Sequence, residues 1–157
     1  MNTIDCVQFE ANVDDMDPRL WPRVLDRLLA AGSHDAWITP ILMKKGRPAM
    51  QLGVLCSLDD ADDIRDLIFS ETTTIGLREF AVRKHVLDRA EASVDVAGER
   101  IATKTAFDGA GVVQNRSVEW DDVAAAADAL GLSAKEVLAS AIAAASADAE
   151  RSDERGS

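Results

Sequence analysis

Ile68-Phe69-Ser70-Glu71-Thr72-Thr73-Thr74-Ile75-Gly76-Leu77-Arg78 joins a helix-like segment to a strand-like one. Behind it, Ile64, Leu67 and Ile68 recur at helical spacing, with Asp60, Asp63 and Asp66 on the opposite side. That pattern predicts an amphipathic helix over 59–69. Ahead of it, residues 76–82 read as a strand. Three consecutive threonines are poor core material, because each buried hydroxyl needs a partner. The polar run therefore sits at a surface junction, where hydroxyls and backbone N–H groups can meet an anion.

Working outward gives the fold. Residues 6–13 alternate as a strand, and Asp14-Asp15-Met16-Asp17-Pro18 turns the chain. Asp17 followed by Pro18 has the form of an N-cap with proline in the first turn. Leu20, Trp21, Val24, Leu25, Leu28 and Leu29 then form one apolar helical face, stopped by Gly32. Residues 36–43 and 50–56 read as two strands around Met43-Lys44-Lys45-Gly46-Arg47-Pro48, a hairpin with a cationic tip. The order β-α-β-β-α-β is that of a ferredoxin-like fold. We expect an α+β chain with a ferredoxin-like domain over 4–89. A small α+β subdomain over 90–147 and a polar, frayed tail over 148–157 follow. Within the subdomain, 93–96 and 101–107 flank a hairpin break at Gly98-Glu99, and 112–118 adds a strand. A helix is expected over 121–130. A second begins at Ser133, with Glu136 three residues on as a capping box and Val137, Leu138, Ala141 and Ile142 as its apolar positions.

The 157 residues suffice for one ordinary domain or two small ones, and 47% apolar content supports a core. A net charge of −11 argues against nucleic acid as the main partner, since phosphate contacts dominate that affinity. The acids are 19 Asp against 9 Glu and the bases 12 Arg against 5 Lys, a bias compatible with salt adaptation or with coding composition. More than half of the 17 basic residues lie between Lys44 and Lys104, so the middle of the chain is the place for an anion site. Cys6 and Cys56 lie in apolar strand-like runs and read as buried hydrophobes of a reducing compartment, with a disulfide as the minor alternative. No run approaches the roughly 20 apolar residues of a membrane span, and the N-terminus lacks a signal pattern. A cytoplasmic protein without a membrane partner is expected.

Several constellations carry two readings each. Glu10, Asn12, Asp14, Asp15 and Asp17 cluster at a strand end, as solvated acid and caps or as oxygens for a hard cation. Lys44, Lys45 and Arg47 are a solvated tip or phosphate ligands, with Arg47 offering a two-pronged fork. Glu71 with Thr72, Thr73 and Thr74 is a helix end or an anion cradle. Arg78, Arg83, Lys84 and Arg89 are solvent-face charges or an anion-facing stripe. Nickel favours imidazole and thiolate, yet His34 and His85, the two histidines, have no ligand spacing. They read as surface or packing residues. No Ser/His/Asp or Cys/His constellation is present.

With those residues assembled, the chain resembles the C-terminal region of the LarC family, the nickel-insertion proteins of nickel-pincer nucleotide biosynthesis. The resemblance rests on Glu10-Ala11-Asn12-Val13-Asp14-Asp15-Met16-Asp17-Pro18, on Asp35-Ala36-Trp37-Ile38-Thr39-Pro40, on Met43-Lys44-Lys45-Gly46-Arg47-Pro48 and on the opening stretch. It continues more weakly to about residue 137, through Lys84, Leu87 and Arg89 and through Val118-Glu119-Trp120-Asp121-Asp122. It implies a lyase (cyclometallase) that inserts nickel into pyridinium-3,5-bisthiocarboxylic acid mononucleotide, dependent on CTP and on magnesium or manganese. It further implies that this region binds the nucleotide. Lys44, Lys45, Arg47, Thr72, Thr73, Thr74 and Arg78 are then expected at the triphosphate, Lys84 and Arg89 at its margin, and Asp14 or Asp15 at the divalent cation. Family members begin with an N-terminal domain and a His-rich stretch suited to nickel, so an N-terminal nickel-binding portion is the expected partner, in a homo-oligomer. Three positions depart from the pattern: Ala11, Trp120 and Val123 stand where threonine, tyrosine and cysteine are usual. The alternative is a non-catalytic ferredoxin-like module for anion binding or oligomerisation.

Overall fold

A computed structural model describes residues 2–155, with side chains through residue 147. The chain divides into two compact units, one of Thr3–His85 and one that takes the residues from Val86 onward together with Asn2.

The first unit contains β1 (Asn2–Val13), α1 (Trp21–Ala30), β2 (Asp35–Met43), β3 (Arg47–Ser57), α2 (Ala61–Glu71) and β4 (Arg78–Val86). The sheet order is β2-β3-β1-β4, and β3 runs antiparallel to both β1 and β2. This is the ferredoxin-like arrangement expected from the element order. Period-2 alternation splits each strand between two faces. Val7, Phe9 and Val13 of β1 and Leu52, Val54 and Cys56 of β3 point to the helices. There they meet Trp21, Val24 and Leu28 of α1 and Ile64 and Ile68 of α2. The other face carries Gln8, Glu10 and Asn12 opposite Leu55, Gly53 and Gln51.

Some expectations are corrected. Leu20 and Leu29 lie outward at 45% and 48% exposure, because α1 begins at Trp21 and its buried stripe is narrower than the apolar pattern. Asp17 does cap, but it caps a 3-10 turn at Pro18–Leu20 that leads into α1. Its carboxylate accepts from the Arg19 guanidinium and, to a lesser degree, from the Arg19 backbone N–H, which hold its pKa below the usual carboxylate value. β4 starts at Arg78 rather than 76, because the Thr74 hydroxyl donates to the Gly76 carbonyl at 2.7 Å and keeps that segment turned. Cys6 and Cys56 are free and buried. In the register Cys6 faces Ser57 and Val7 faces Cys56, so the two thiols point to opposite sides of the sheet and cannot bond. Burial, the largest cause, pushes the Cys56 thiol up and keeps it protonated.

The second unit contains β5 (Asp88–Val96), β6 (Glu99–Phe107), β7 (Val113–Val118), α3 (Trp120–Leu130) and α4 (Ala134–Arg155). Its three strands form an antiparallel sheet in chain order. Val94, Val96 and Ile101 of the sheet pack with Val123, Ala126 and Ala127 of α3 and Val137 and Ala141 of α4. The first half of β5 is exposed and polar, and is held by backbone pairing of Asp88 through Ala92 with Phe107 through Thr103. It was therefore invisible to a hydrophobic pattern. The hairpin turn falls at Ala97-Gly98, both at positive φ, one residue before the expected break. α4 runs on to Arg155, through the stretch read as a polar tail. Side chains from residue 148, the final two residues and the fraying expected there lie outside the described residues. Among the described residues no single helix is long and apolar enough to cross a membrane.

The capping box at α4 forms as expected. Ser133 Oγ accepts from the Glu136 backbone N–H at 3.3 Å, and Glu136 accepts from the Ser133 backbone N–H at 3.1 Å and its hydroxyl at 2.7 Å. The Ser133 hydroxyl bond, then its backbone bond, lower the Glu136 pKa. A carboxyl lowered on folding stabilises above its unfolded pKa and loses that contribution as pH falls through the folded one. Ser133→Ala is therefore expected to lower Tm by a few degrees at pH 7 and by less at pH 3. Equal losses at both pH values in thermal melts would show that Glu136 contributes nothing through this cap.

Candidate functional site

The site forms at one end of the first unit's sheet. β1 ends at Val13 and β3 begins at Arg47, so antiparallel pairing brings the turn after β1 beside the tip of the β2–β3 hairpin. The chain leaving α2 arrives at the same end. Arg47 Nη1 donates to Asp14 Oδ2 at 3.1 Å. Thr73 Oγ1 donates to Asp15 Oδ1. On the helix-free face, Arg78 Nη2 donates to Asn12 Oδ1 at 3.0 Å and to Glu10 Oε2 at 3.3 Å. Gln51 Nε2 donates to the same two acceptors, at 3.2 Å to Asn12 and 3.4 Å to Glu10.

The three threonines divide their work. Thr72 Oγ1 donates to the Ile68 carbonyl at 2.8 Å and closes the end of α2. Thr74 shapes the turn before β4 through Gly76. Thr73 alone turns its hydroxyl to a site carboxylate. Glu71 is taken by an ion pair with Arg27 of α1, which ties the two helices together.

Lys44 and Lys45 occupy a 3-10 turn at the hairpin tip, exposed and, among the described residues, without a carboxylate partner. Lys45 has φ +65°, in the left-handed region that a residue with a Cβ rarely adopts. Backbone held in such a state is stored strain of the kind found at ligand clamps. Lys44, Lys45, Arg47 and Arg78 set four cations against the three carboxylates of Glu10, Asp14 and Asp15. The site is locally positive in a chain of net charge −11.

Two other candidates fall elsewhere. Lys84 shares the Arg78 face of β4 but stands six residues further along, about 20 Å away at strand rise. Arg89 belongs to the second unit, where it pairs with Glu91 at 4.0 Å. His34 Nδ1 lies 3.6 Å from Cys6 Sγ, and His85 Nδ1 bonds Thr3 Oγ1 at 3.1 Å. Among the described residues no three His, Cys, Asp or Glu side chains converge as a metal-holding group. The residue missed in the sequence is Gln51. Polar Gln8, Glu10 and Asn12 alternate legibly on β1, but only the strand register puts Gln51 opposite Asn12.

Fold and site together define an α+β chain whose ferredoxin-like unit gathers cations, a hydroxyl and carboxylates at one sheet end, a donor set suited to an anionic ligand. The family model described as nickel insertion protein matches residues 1–138. A pyridinium-3,5-bisthiocarboxylic acid mononucleotide nickel insertion protein of Nocardioides sp. is 54% identical, over 85% of this chain and 34% of its own length. A protein of the same name from Thermotoga petrophila is 39% identical, over 73% of this chain and 29% of its own. Among solved structures, LarC2, the C-terminal domain of a cyclometallase involved in the synthesis of the NPN cofactor of lactate racemase, superposes with a TM-score of 0.85. Its sequence is 31% identical, and the match covers 92% of this chain and 99% of that one. A Methanopyrus kandleri protein shares the fold at a TM-score of 0.63 and 23% identity, over 90% of this chain and 89% of that one. The chain belongs to the nickel insertion protein family, as the sequence motifs indicated. It spans about a third of the length of the curated relatives it matches.

Proposed function

We propose that this chain supplies the nucleotide-binding part of a nickel insertase, taking up CTP with magnesium or manganese. The observation that supports it is the meeting of Asp14, Asp15, Arg47, Thr73 and Arg78 from three separated segments at one sheet end. Arg47 and Arg78 supply charge-assisted donors for phosphate oxygens. Lys44 and Lys45 reach the same end as freely solvated cations. Thr72 and Thr74 act through the turn they hold, and Lys84 contributes long-range attraction. Asp14 and Asp15 suit a divalent cation that takes most of its ligands from phosphates and water, for which one or two carboxylates suffice. When bound, that cation neutralises phosphate charge.

The whole protein of this family, on the same reading, is a lyase that inserts nickel into pyridinium-3,5-bisthiocarboxylic acid mononucleotide in the cytoplasm. Nickel is its substrate metal, and an N-terminal portion of the protein holds it. Fully exposed Ile75 and largely exposed Leu42 near the site favour its being covered by a second copy or by that N-terminal portion. An assembly-only module is the competing reading, and it predicts no nucleotide affinity.

Calorimetric titration with CTP, ATP and GTP, with and without magnesium or manganese, tests the proposal. Cation-dependent binding that prefers CTP is the expected result. Thr73→Val and Lys45→Ala should each weaken CTP binding about fivefold, the scale of one lost hydrogen bond or an exposed charge. Wild-type affinity in both variants would remove these residues from the site. Absence of nucleotide binding by the folded chain would favour the assembly module.

A further inference from the structure

The opposite end of the first unit's sheet carries a thiol and an imidazole that nucleotide binding leaves unused. Cys6 lies seven residues before Val13 on β1, about 23 Å from the anion site at strand rise. Its thiol is buried, at 1% exposure, against the loop that leads from α1 into β2. His34 ends that loop, held by its backbone N–H to the Leu55 carbonyl at 2.7 Å. The residue is exposed, and its ring Nδ1 stands 3.6 Å from Cys6 Sγ. Bonds of about 2.3 Å to sulfur and about 2.05 Å to nitrogen at a tetrahedral angle put two ligands of one metal about 3.6 Å apart. A right-angled pair would stand about 3.1 Å apart, within reach of a small turn of the imidazole. Ser33, the residue before His34, is 9% exposed, and its hydroxyl has no hydrogen-bond partner among the described residues. A buried hydroxyl of this kind calls for a further partner, and a water carried by a metal at His34 supplies one.

Thiolate and imidazole together select nickel, zinc and their neighbours over magnesium or manganese. Asp5 and Asp35 stand beside the two ligands in sequence and add carboxylate charge that attracts a cation. We propose that Cys6 and His34 hold a borderline divalent cation, nickel in a protein of this family, through Sγ and Nδ1. The cation enters past the exposed imidazole, and the Cys6 proton leaves to solvent as the metal–sulfur bond forms. Among the described residues no third His, Cys, Asp or Glu converges there, so water completes the coordination. Open positions suit a site that releases its metal, unlike a closed four-ligand structural site. On the reading above, nickel comes from an N-terminal portion, and a portion ahead of β1 joins the chain a few residues from Cys6. Passage of nickel along that route rests on that reading; the metal site itself does not.

The test titrates the full chain, free of any affinity tag and of nucleotide, with nickel, zinc and magnesium, followed by calorimetry and near-ultraviolet absorption. One nickel should bind with a thiolate-to-metal charge-transfer band, zinc should displace it, and magnesium should do neither. Cys6→Ser should abolish the band. His34→Gln should weaken nickel binding at least about tenfold, the least that even residues behind the ligands contribute. His85→Gln, at the other histidine, should change nothing. Thermal melts establish that each variant is folded. Nickel uptake by a chain that binds no nucleotide would support the site while removing the nucleotide reading. A band that survives Cys6→Ser, or wild-type nickel affinity in His34→Gln, would overturn the inference. So would a folded wild-type chain that takes up no nickel, which would leave the pair as a thiol–imidazole hydrogen bond.

Discussion

Gly53→Val is expected to destabilise the chain by about 3 kcal/mol, the upper range for forcing bulk into a packed site. Gly53 lies in the middle of β3, directly opposite Trp37 of β2. Strand interiors disfavour glycine unless another group needs the space. Here the Trp37 indole lies across it: a Cβ at Gly53 would sit 2.3 Å from Cε2 and 2.6 Å from Nε1 of that ring. Even Gly53→Ala must displace the indole, and the branched valine does so more severely. Trp37→Ala in the same chain should recover most of the loss, because it removes the colliding ring. Urea denaturation of wild type, both single variants and the double variant measures this coupling. A Gly53→Val chain as stable as wild type would mean that the indole moves aside at no cost.

Arg47→Ala is expected to weaken CTP binding about 30-fold, corresponding to about 2 kcal/mol for one lost charge-assisted hydrogen bond to phosphate. The substitution removes a phosphate donor and also leaves Asp14 without its cation, so that carboxylate faces the incoming anion unneutralised. Stability should hardly change, because the Arg47–Asp14 pair is exposed, with the Arg47 side chain at 62%, and exposed pairs contribute about 0–1 kcal/mol. Arg47→Lys should recover part of the affinity, since it restores the charge but not the planar fork. Titration beside a urea melt separates binding from folding. CTP affinity unchanged in Arg47→Ala would place the phosphates elsewhere.

The legible parts of this molecule follow from local chemistry. Apolar spacing at Ile64, Leu67 and Ile68 placed α2, the Ser133–Glu136 pair placed the start of α4, and the element order gave the ferredoxin-like unit. These signals were readable because each depends on residues a few positions apart. The exposed half of β5 was not, since its partners on β6 stabilise it through backbone hydrogen bonds that any side chain permits.

The candidate site divides in the same way. Sequence alone singled out Asp14, Asp15, Lys44, Lys45, Arg47, Thr72 to Thr74 and Arg78, because clustered charge and a buried-hostile threonine run are local properties. Tertiary structure decided which of them meet. Asp15 and Thr73 are 58 positions apart and Arg78 and Asn12 are 66, and strand register together with the return of the chain after α2 joins them. Register also brought in Gln51 and laid Trp37 over Gly53, while strand length separated Lys84 from Arg78. Residue type sets what each group can do chemically, but only the pairing of distant segments sets which groups act at one place.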